Sequence, residues 1–438
     1  MAHTRSIATV AVLAAAGLVV SGCAGTDSAS TSEGDGKVTI YGGYGEAQAT
    51  AFQEELDAFG EEAGIDITFT TLASFDTDIK VKIEAGEEPD IALWPQPGGL
   101  LDQAEAGTLI DLNDLEGFDL DAPLGTLVPG WESLAAVDDA VYGLPVSANV
   151  KSLVFYNPTA FEANGYEVPT TDEELTSLIE KIKADGSGYP FCAGIESGGA
   201  TGWPITDWLE QYVLSYNGVD VYNDWIAGDV TFDSPEVTKA ADKVADLLLA
   251  EGNVNGGGVS MATDGFGNTA PLFETGGKAA GQCFMIRQGS FITDFFPDDI
   301  KAQVNAGDYT NANVFPLPAP KGGQAGVLGG GDLAAVFDGH IDPDVAKVYQ
   351  FITSDRIGSL MAQNGSFTSP HSTFDSSQYP NDLTKTIGET MANAEIFGFD
   401  GSDRMPSEVN AEFWVAGTEW VAGKIDWTQA AERIQSKY

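Results

Sequence analysis

The order of predicted strands and helices in this chain of 438 residues indicates an α/β protein. Three β-rich runs, at 38–41, 65–69 and 90–94, are separated by segments whose apolar residues recur at helical spacing. Strands that alternate with helices in this way favour a sheet of parallel strands. The 402 residues of the range 37–438 are long enough for two or three domains. We therefore expect more than one sheet-based α/β domain.

A second set of elements begins near residue 147. Thr171 and Glu174 have the spacing of a capping box and precede the apolar periodicity of an amphipathic helix. Proline follows Ser234 and Asp342, as is common at the first position of a helix. The patterns predict strands at 147–156, 314–317 and 326–337, and helices that begin after Thr171, Ser234 and Asp342.

The first 23 residues predict export. Arg5 precedes an apolar run at 7–20, which fits a secretory signal and is short for a membrane span. The run ends in the sequence VSGC, which resembles a bacterial lipobox, where the cysteine becomes the lipidated N-terminus. A cleaved signal with a chance cysteine is the alternative. We expect a signal peptide at 1–22, a flexible tether at 23–36 that is lipidated on Cys23, and attachment to the extracellular side of the cell membrane.

Composition limits the classes of ligand and partner. The chain has 66 acidic and 20 basic residues, for a formal net charge of −46. Such a charge repels nucleic acid and anionic lipid and disfavours phosphorylated ligands. An acidic surface that keeps an exported protein soluble is the simpler reason for the excess. No nucleic-acid partner is expected.

The cysteines favour a disulfide over two separate buried thiols. With Cys23 used for lipid, Cys192 and Cys283 are an even pair in an oxidising compartment. His340 and His371 are the histidines beyond the signal, and neither is near a cysteine in sequence. A zinc site therefore has no ligand cluster, and we expect no metal and no cofactor.

Catalytic signatures are absent from the sequence. The serine of GIESG at 194–198 lies one position too late for a nucleophile elbow. A GYG turn follows the first strand, but Gln48 replaces the third glycine of a dinucleotide loop and Glu46 would repel phosphate. Carboxylates are too numerous to argue for or against a glycosidase pair. A binding protein is favoured, with a secreted carbohydrate-active hydrolase as the alternative.

Aromatic and polar residues follow the predicted strands. Tyr44 and Glu46 follow the first strand, Phe75 the second, and Trp94 and Gln96 lie at the end of the third. Ligands of open α/β sheets bind beyond the carboxyl ends of the strands. Aromatic faces stack on sugar rings, while carboxylates and amides bind ring hydroxyls. This pattern predicts a sugar pocket, although any one aromatic could instead pack in the core.

Six stretches carry a resemblance to family 1 extracellular solute-binding proteins of carbohydrate ABC importers, in particular to the type that binds α-glucosides. The segment from Cys192 to Trp208 is the most specific of them. The stretches are PDIALWPQPG at 89–98, KSLVFY at 151–156, CAGIESG and TGWP within 192–204, Cys283 with RQ at 287–288, GDL at 331–333, and FDGSD with MP within 399–406. Paired cysteines at these two places also occur in that subgroup.

The resemblance implies a two-lobed, periplasmic-binding-protein-like fold, in which two sheet-based α/β domains joined by hinge strands close on a sugar. It implies an N-terminal lobe of 37–147 with 314–354, and a C-terminal lobe of 148–313 with 355–438. The expected crossings lie near Ala148, Asn313 and Ser354. Such a protein performs no covalent chemistry, and a monomer is expected. Its partners would be an oligosaccharide, expected to be an α-glucoside, and the membrane subunits of an ABC permease.

Carried over position by position, the resemblance also implies a set of cleft residues. The aromatic members would stack on sugar rings, and Glu46, Lys151, Glu196 and Arg287 would bind hydroxyls, unless they form salt bridges instead. The set is Tyr44, Glu46, Phe75, Trp94, Gln96, Lys151, Glu196, Trp203, Arg287, Gly331 and Asp403. Arg404 and the sequence Ser74-Phe75-Asp76 depart from the family pattern and leave the sugar open. A non-sugar ligand such as a peptide or a polyamine is the other alternative.

Overall fold

Two large β-sheets, beside one sheet of two short strands, organise the part of the chain that the structure describes. The structure is a computed structural model, and it describes residues 34–128, 130–131, 134–137, 139–363, 367–392, 394 and 396–438. The expected signal peptide, Cys23 and the tether as far as residue 33 lie outside this part of the chain. In the described part, no helix combines the length and the apolarity that a membrane crossing requires.

The strands and helices follow one another along the whole described chain. The strands are β1 (Lys37–Gly42), β2 (Asp66–Thr71), β3 (Ile91–Trp94), β4 (Ala136–Val137), β5 (Ala140–Val141), β6 (Leu144–Val150), β7 (Leu153–Tyr156), β8 (Tyr189–Phe191), β9 (Cys283–Gln288), β10 (Asn313–Pro316), β11 (Val327–Val336) and β12 (Phe397–Phe399).

The helices vary in length from one turn to more than six. They are α1 (Glu46–Ala63), α2 (Phe75–Ala85), α3 (Pro97–Glu105), α4 (Asp121–Leu124), α5 (Pro158–Asn164), α6 (Asp172–Asp185), α7 (Trp203–Ile226), α8 (Pro235–Val244), α9 (Gly257–Met261), α10 (Ala270–Phe273), α11 (Asp298–Asn305), α12 (Pro343–Ile352), α13 (Ser359–Gln363), α14 (Asp382–Ala392), α15 (Gly401–Arg404), α16 (Ser407–Val421) and α17 (Trp427–Gln435).

The larger sheet has the strand order β12-β11-β3-β1-β2, and β6 pairs with β11. Strand β1 pairs in parallel with β2 and with β3, as the alternation of strands and helices predicts. Strand β11 runs antiparallel to β3 and β6. The smaller sheet has the order β10-β7-β9-β8 and combines antiparallel pairs with one parallel pair, β8 with β9. The predicted α/β class is confirmed.

The predicted strand at 147–156 is two strands, because the chain changes sheets within it. Strand β6 belongs to the larger sheet and β7 to the smaller, and Lys151 and Ser152 lie between them. A returning segment runs beside this crossing. The Lys151 amide donates to the Leu328 carbonyl at 2.8 Å, the Leu317 amide donates to the Ser152 carbonyl at 2.9 Å, and the Leu328 amide donates to Ser152 Oγ at 2.7 Å. The two crossing segments are therefore tied to each other.

The strands also bear on where the lobes divide. Strand β10 pairs in the smaller sheet and β12 in the larger, whereas the expected lobes assign 314–354 to the N-terminal lobe and 355–438 to the C-terminal lobe. The lobe boundaries themselves remain a prediction.

Three predicted helices begin with side-chain caps. The side chains of Thr171, Ser234 and Asp342 accept hydrogen bonds from backbone amides in the first turn. The capping box predicted at α6 is half formed: the Glu174 amide donates to Thr171 Oγ1 at 3.2 Å, but the Glu174 carboxylate accepts from the Thr170 amide at 2.7 Å. The carboxylate thus satisfies an amide one position before the cap.

Helix α7 packs in a hydrophobic core that it shares with residues of α6, α8 and α16. Almost every residue of its first three turns is buried, including Leu209 and Val213. A kink at Gly218, with φ of 81°, divides the helix. The buried stretch also contains Asp207 and Glu210, which an apolar helix accommodates only with partners.

The predicted disulfide is present. Cys192, directly after β8, is bonded to Cys283, the first residue of β9, and their Cα atoms are 5.3 Å apart. The bond joins the carboxyl end of β8 to the amino end of β9, and these two strands pair in parallel. It closes a loop across a sequence separation of 91 residues.

We expect the double substitution Cys192→Ser and Cys283→Ser to lower the free energy of unfolding by about 4 kcal/mol. The reason is that a crosslink which closes a loop of this length removes conformational entropy from the unfolded chain. Guanidinium chloride unfolding of both proteins without reductant measures the difference. Reduced wild-type protein serves as the control and should unfold like the variant. Equal unfolding midpoints for the variant and the oxidised wild type would contradict this role of the bond.

Candidate functional site

A cavity of about 200 Å³ is lined by residues of the larger sheet, by Lys151 at the crossing to the smaller sheet, and by residues of α7 and α16. Five residues of the predicted cleft set line it, and they come from five separated parts of the sequence. They are Gln96, Lys151, Trp203, Gly331 and Asp403. The cavity therefore brings together side chains that the sequence predicts to share one site.

Two glycines allow backbone segments around the cavity to pack closely against each other. A Cβ atom on Gly331 would lie 2.1 Å from the Ser147 carbonyl oxygen, so β6 and β11 can pair here only with glycine at this position. A Cβ atom on Gly202, which precedes Trp203 and has φ of 117°, would lie 2.3 Å from the Trp414 carbonyl oxygen. Close packing of Gly202 against α16 thus sets the position from which Trp203 starts α7.

Lys151 forms the floor of the cavity at the crossing between the sheets. Its ammonium group lies 3.0 Å from Asp207 Oδ1 and is bonded to Asp400 Oδ2. The residue is 7% exposed, so both ion pairs are shielded from water. Burial opposes the charged form, but the two carboxylates outweigh it and raise the pKa of Lys151 above its ordinary value. The ammonium group is therefore protonated, and it is already paired with Asp207 and Asp400.

A second cation lies deeper in the same cluster. Arg287 Nη1 is 3.7 Å from Asp207 Oδ2, and the guanidinium carbon is 5.2 Å from the centre of the Trp208 ring. Its Nε and Nη2 atoms have no hydrogen-bond partner among the described residues. Burial lowers the pKa of Arg287, although Asp207 opposes that shift. Arg287 thus neutralises a carboxylate beneath the cavity.

Glu210 is fully buried and is held by backbone amides. Its carboxylate accepts from the Gly401 amide at 2.7 Å and from the Ser402 amide at 3.2 Å. Burial, together with the negative charges of Asp400 and Asp207, raises its pKa. Burial likewise raises the pKa of Asp207 to about 7, although Lys151 opposes the shift. Burial would also raise the pKa of Asp400, but Lys151 outweighs it and the pKa is lowered.

Oxygen atoms of Asp207, Glu210 and Asp400 lie within 4.8 Å of one another, which is close enough to hold a metal ion. The Lys151 ammonium group contacts two of the three carboxylates, and backbone amides satisfy the third. The cation that balances this cluster is therefore a side chain of the protein. The arrangement fits an ion-pair network rather than a metal site.

Aromatic rings form the walls of the cavity. Trp203, Phe291 and Trp414 line it, and the ring centres of Trp203 and Phe291 are 5.7 Å apart. The Lys151 ammonium group is 5.1 Å from the centre of the Trp203 ring. All three rings are partly exposed, so their faces are available to a ligand. Apolar faces beside charged and amide groups are the surface that a sugar ring requires.

The other six predicted cleft residues do not line this cavity. Tyr44, Phe75 and Trp94 are buried in the core, where the ring centres of Phe75 and Trp94 are 5.3 Å apart. Glu46 is exposed at the start of α1. Glu196 is exposed and accepts from the Gly198 amide at 2.8 Å, and Arg287 is in the ion-pair cluster. Contact of these six with a ligand remains a prediction.

Several residues of the site were not in the predicted set. They are Asn149, Asp207, Glu210, Phe291, Asp332, Asp400 and Trp414. Asp207 and Glu210 carried a usable signal, since two acids three residues apart on an apolar helix must have buried partners. Arg404 does not line the cavity and donates to Asn223 Oδ1 at 2.8 Å.

Comparisons with known proteins agree with the fold. A sequence model described as bacterial extracellular solute-binding protein matches residues 43–357, and the chain belongs to that family. It is 34% identical over 412 residues to the osmoprotective compounds-binding protein GgtB of Synechocystis, covering 92% of each chain. It is 33% identical over 397 residues to the alpha-glucosides-binding periplasmic protein AglE of Rhizobium meliloti, covering 88% of this chain and 84% of AglE.

Solved structures confirm the two-lobed fold. A protein from work on xylan utilisation by Caldanaerobius polysaccharolyticus has a TM-score of 0.74 at 21% identity, over 92% of this chain and 99% of that chain. The bacterial solute receptor AcbH has a TM-score of 0.72 at 19% identity, over 92% and 98%. At these identities the likeness establishes the fold. The family assignment confirms the expectation of an extracellular binding protein rather than an enzyme.

We expect Lys151→Met to destabilise the protein by about 3–5 kcal/mol at pH 8, because Asp400 would remain buried without a cation and Asp207 would keep only Arg287. The loss should be smaller at pH 5. Asp207 has a raised pKa even beside Lys151, and protonation at low pH removes the unpaired charge.

Denaturant unfolding of both proteins at the two pH values measures this effect. Lys424→Met, at an exposed lysine, is the matched control and should change stability little at either pH. A loss from Lys151→Met that is equal at both pH values would show that the buried carboxylates are not its cause.

Proposed function

We propose that this protein is a lipid-anchored binding protein that captures an α-glucoside or a related oligosaccharide and delivers it to an ABC permease. The observation that supports the proposal is the cavity, where three partly exposed aromatic rings lie beside carboxylate, amide and backbone groups from β6, β11 and the segments after β3 and β12. A sugar needs apolar faces for its C–H surfaces and polar groups for its hydroxyls. The similarity to AglE supports the α-glucoside class.

The mechanism is binding coupled to closure of the two lobes. A ligand shifts the balance between open and closed forms only when it contacts the closed form better. Trp203 on α7 and Gln96 after β3 would contact one sugar from opposite sides of the cavity. A micromolar dissociation constant corresponds to about 8 kcal/mol, which a few stacked rings and bonded hydroxyls can supply.

A small osmoprotective compound is a second candidate ligand. The similarity to GgtB extends over 92% of both chains. The cavity volume of about 200 Å³ is also small beside the roughly 300–1,000 Å³ of typical ligand pockets. Calorimetric titration with maltose, sucrose and trehalose, beside non-sugar osmoprotectants such as glycine betaine, separates the two candidates. Binding of betaine without any of the disaccharides would overturn the sugar assignment.

We expect Trp203→Ala to weaken disaccharide binding by about 10- to 100-fold, because a stacked aromatic face contributes a few kcal/mol to sugar affinity. Calorimetry of the variant with the disaccharide that binds the wild type gives the change. Trp427→Ala is the matched control, since that indole packs against Trp420 at 5.1 Å and does not line the cavity. Unchanged affinity in Trp203→Ala would remove this ring from the site.

We also propose that Cys23 anchors the protein. Several acyl chains on one residue hold a protein firmly, whereas a single chain gives marginal binding. Cys23→Ser should therefore move the protein from the membrane fraction of the producing cells to the soluble extracellular fraction. Immunoblots of both fractions test this, with Ser21→Ala as a nearby control that should stay membrane-bound. Full retention of Cys23→Ser in membranes would exclude the anchor.

A further inference from the structure

The charged groups that line the cavity are mostly negative. Asp332, Asp400 and Asp403 face it, and Lys151 is the one cation that lines it in the described part of the chain. Gln96 also lines the cavity, and its amide nitrogen donates to both carboxylate oxygens of Asp76, at 2.8 and 3.2 Å, in the orientation that satisfies its neighbours. A fourth carboxylate therefore lies directly behind a neutral lining group.

Lys151 is not available to an anionic ligand. Its ammonium group is already paired with Asp207 and Asp400, and the residue is more than nine-tenths buried. A ligand carboxylate or phosphate beside it would add a third negative charge to a buried group that holds one ammonium charge against two carboxylates. Burying a further uncompensated negative charge is strongly unfavourable. The geometry thus disfavours acidic sugars.

Two lining carboxyls have no cation of their own. Asp332 accepts from the Ser147 hydroxyl at 2.6 Å, and the Asp403 side chain has no hydrogen-bond partner among the described residues. No lysine, arginine or histidine nitrogen of the described residues lies within 4.0 Å of either carboxylate, and Lys151 is engaged elsewhere. A protonated amine on the ligand would supply the missing partner. Hydrogen bonds between charged groups are about twice as strong as neutral ones.

The aromatic walls favour the same ligand charge. The faces of indole and phenyl rings attract cations that lie within about 6 Å. Trp203 already has the Lys151 ammonium group 5.1 Å from its ring centre. Phe291 and Trp414 offer further faces on the same cavity.

We propose that the cavity ranks related glycosides by charge: a glycoside with a protonated amine binds more tightly than its neutral parent, and one with a carboxylate or phosphate binds more weakly than both. This specificity rests on the proposed function, because it concerns the same site. It narrows the ligand class to neutral and aminated glycosides and identifies Asp332 and Asp403 as the residues that recognise the amine.

The preference should depend on pH. Burial raises the pKa of Asp332 to about 6, and burial together with the charge of Asp400 raises that of Asp403. Asp332 loses its charge as the pH falls through about 6, so its part of the preference for the amine should grow from about pH 5 to about pH 7. The titratable and charged groups that face these two carboxyls are Tyr44, Asp76, Lys151, Asp207 and Asp400.

Calorimetry on the full mature protein at pH 7 tests the ranking. The ligands are trehalose or maltose, whichever binds the wild type, with its monoamino derivatives at each non-anomeric position and its 6-uronic acid. At least one amine should bind about tenfold more tightly than the parent, and the uronic acid about tenfold more weakly. A uronic acid that equals the parent, or a set of amines of which none exceeds it, would overturn the proposal.

Variants assign the effect to the two carboxyls. Asp332→Asn and Asp403→Asn should each reduce the ratio of amine to parent affinity, while Asp242→Asn on the exposed face of α8 should keep it. Circular dichroism confirms that each variant is folded. If the parent binds and the wild-type ratio is one, only this specificity fails. If neither the parent nor any amine binds, the sugar-binding function fails with it.

Discussion

One buried ammonium group, paired with two carboxylates at the crossing between the sheets, constrains the rest of the structure. Lys151 lies between β6 and β7, Asp207 is on α7, and Asp400 directly follows β12. The ion pairs bring together segments that are 56 and 249 residues from Lys151 in sequence. They also place the ligand-facing groups, since Trp203 is one helical turn before Asp207 and Asp403 is three residues after Asp400. A structural charge cluster thereby sets the position of the binding surface.

Much of the fold could be predicted because its signals are local. The strands at 38–41, 65–69 and 90–94 correspond to β1, β2 and β3, and the caps at Thr171 and Ser234 begin helices as expected. The break between β6 and β7 has no such signal. The run at 147–156 contains no glycine or proline to mark a break, and the partners of its two halves, which lie far along the chain, divide it between two sheets.

The site was predictable in part, for a related reason. A residue at the end of a strand can face the cleft or the core, and neighbouring prolines do not decide between the two. Trp94 is buried in the core, with 1% of its surface exposed, whereas Gln96 lines the cavity. Asp207 and Asp400 are partners only in three dimensions, so residue type and spacing could not pair them. Only the three-dimensional structure, with Lys151 between the two carboxylates, shows that they belong to the same site.

The hydrogen bonds between the two crossing segments have a geometric consequence for motion. Any rotation of one sheet relative to the other that preserves the bonds of Lys151 and Ser152 to the segment at 317–328 must turn about the line through them. Displacement in such a rotation grows with distance from the axis. The ammonium group at the bottom of the cavity would stay almost stationary while outlying atoms travel several times further. The charged groups near Lys151 would then keep the same positions in the open and closed forms. Adaptation to ligands of different size would come from movement of the groups farther from the axis.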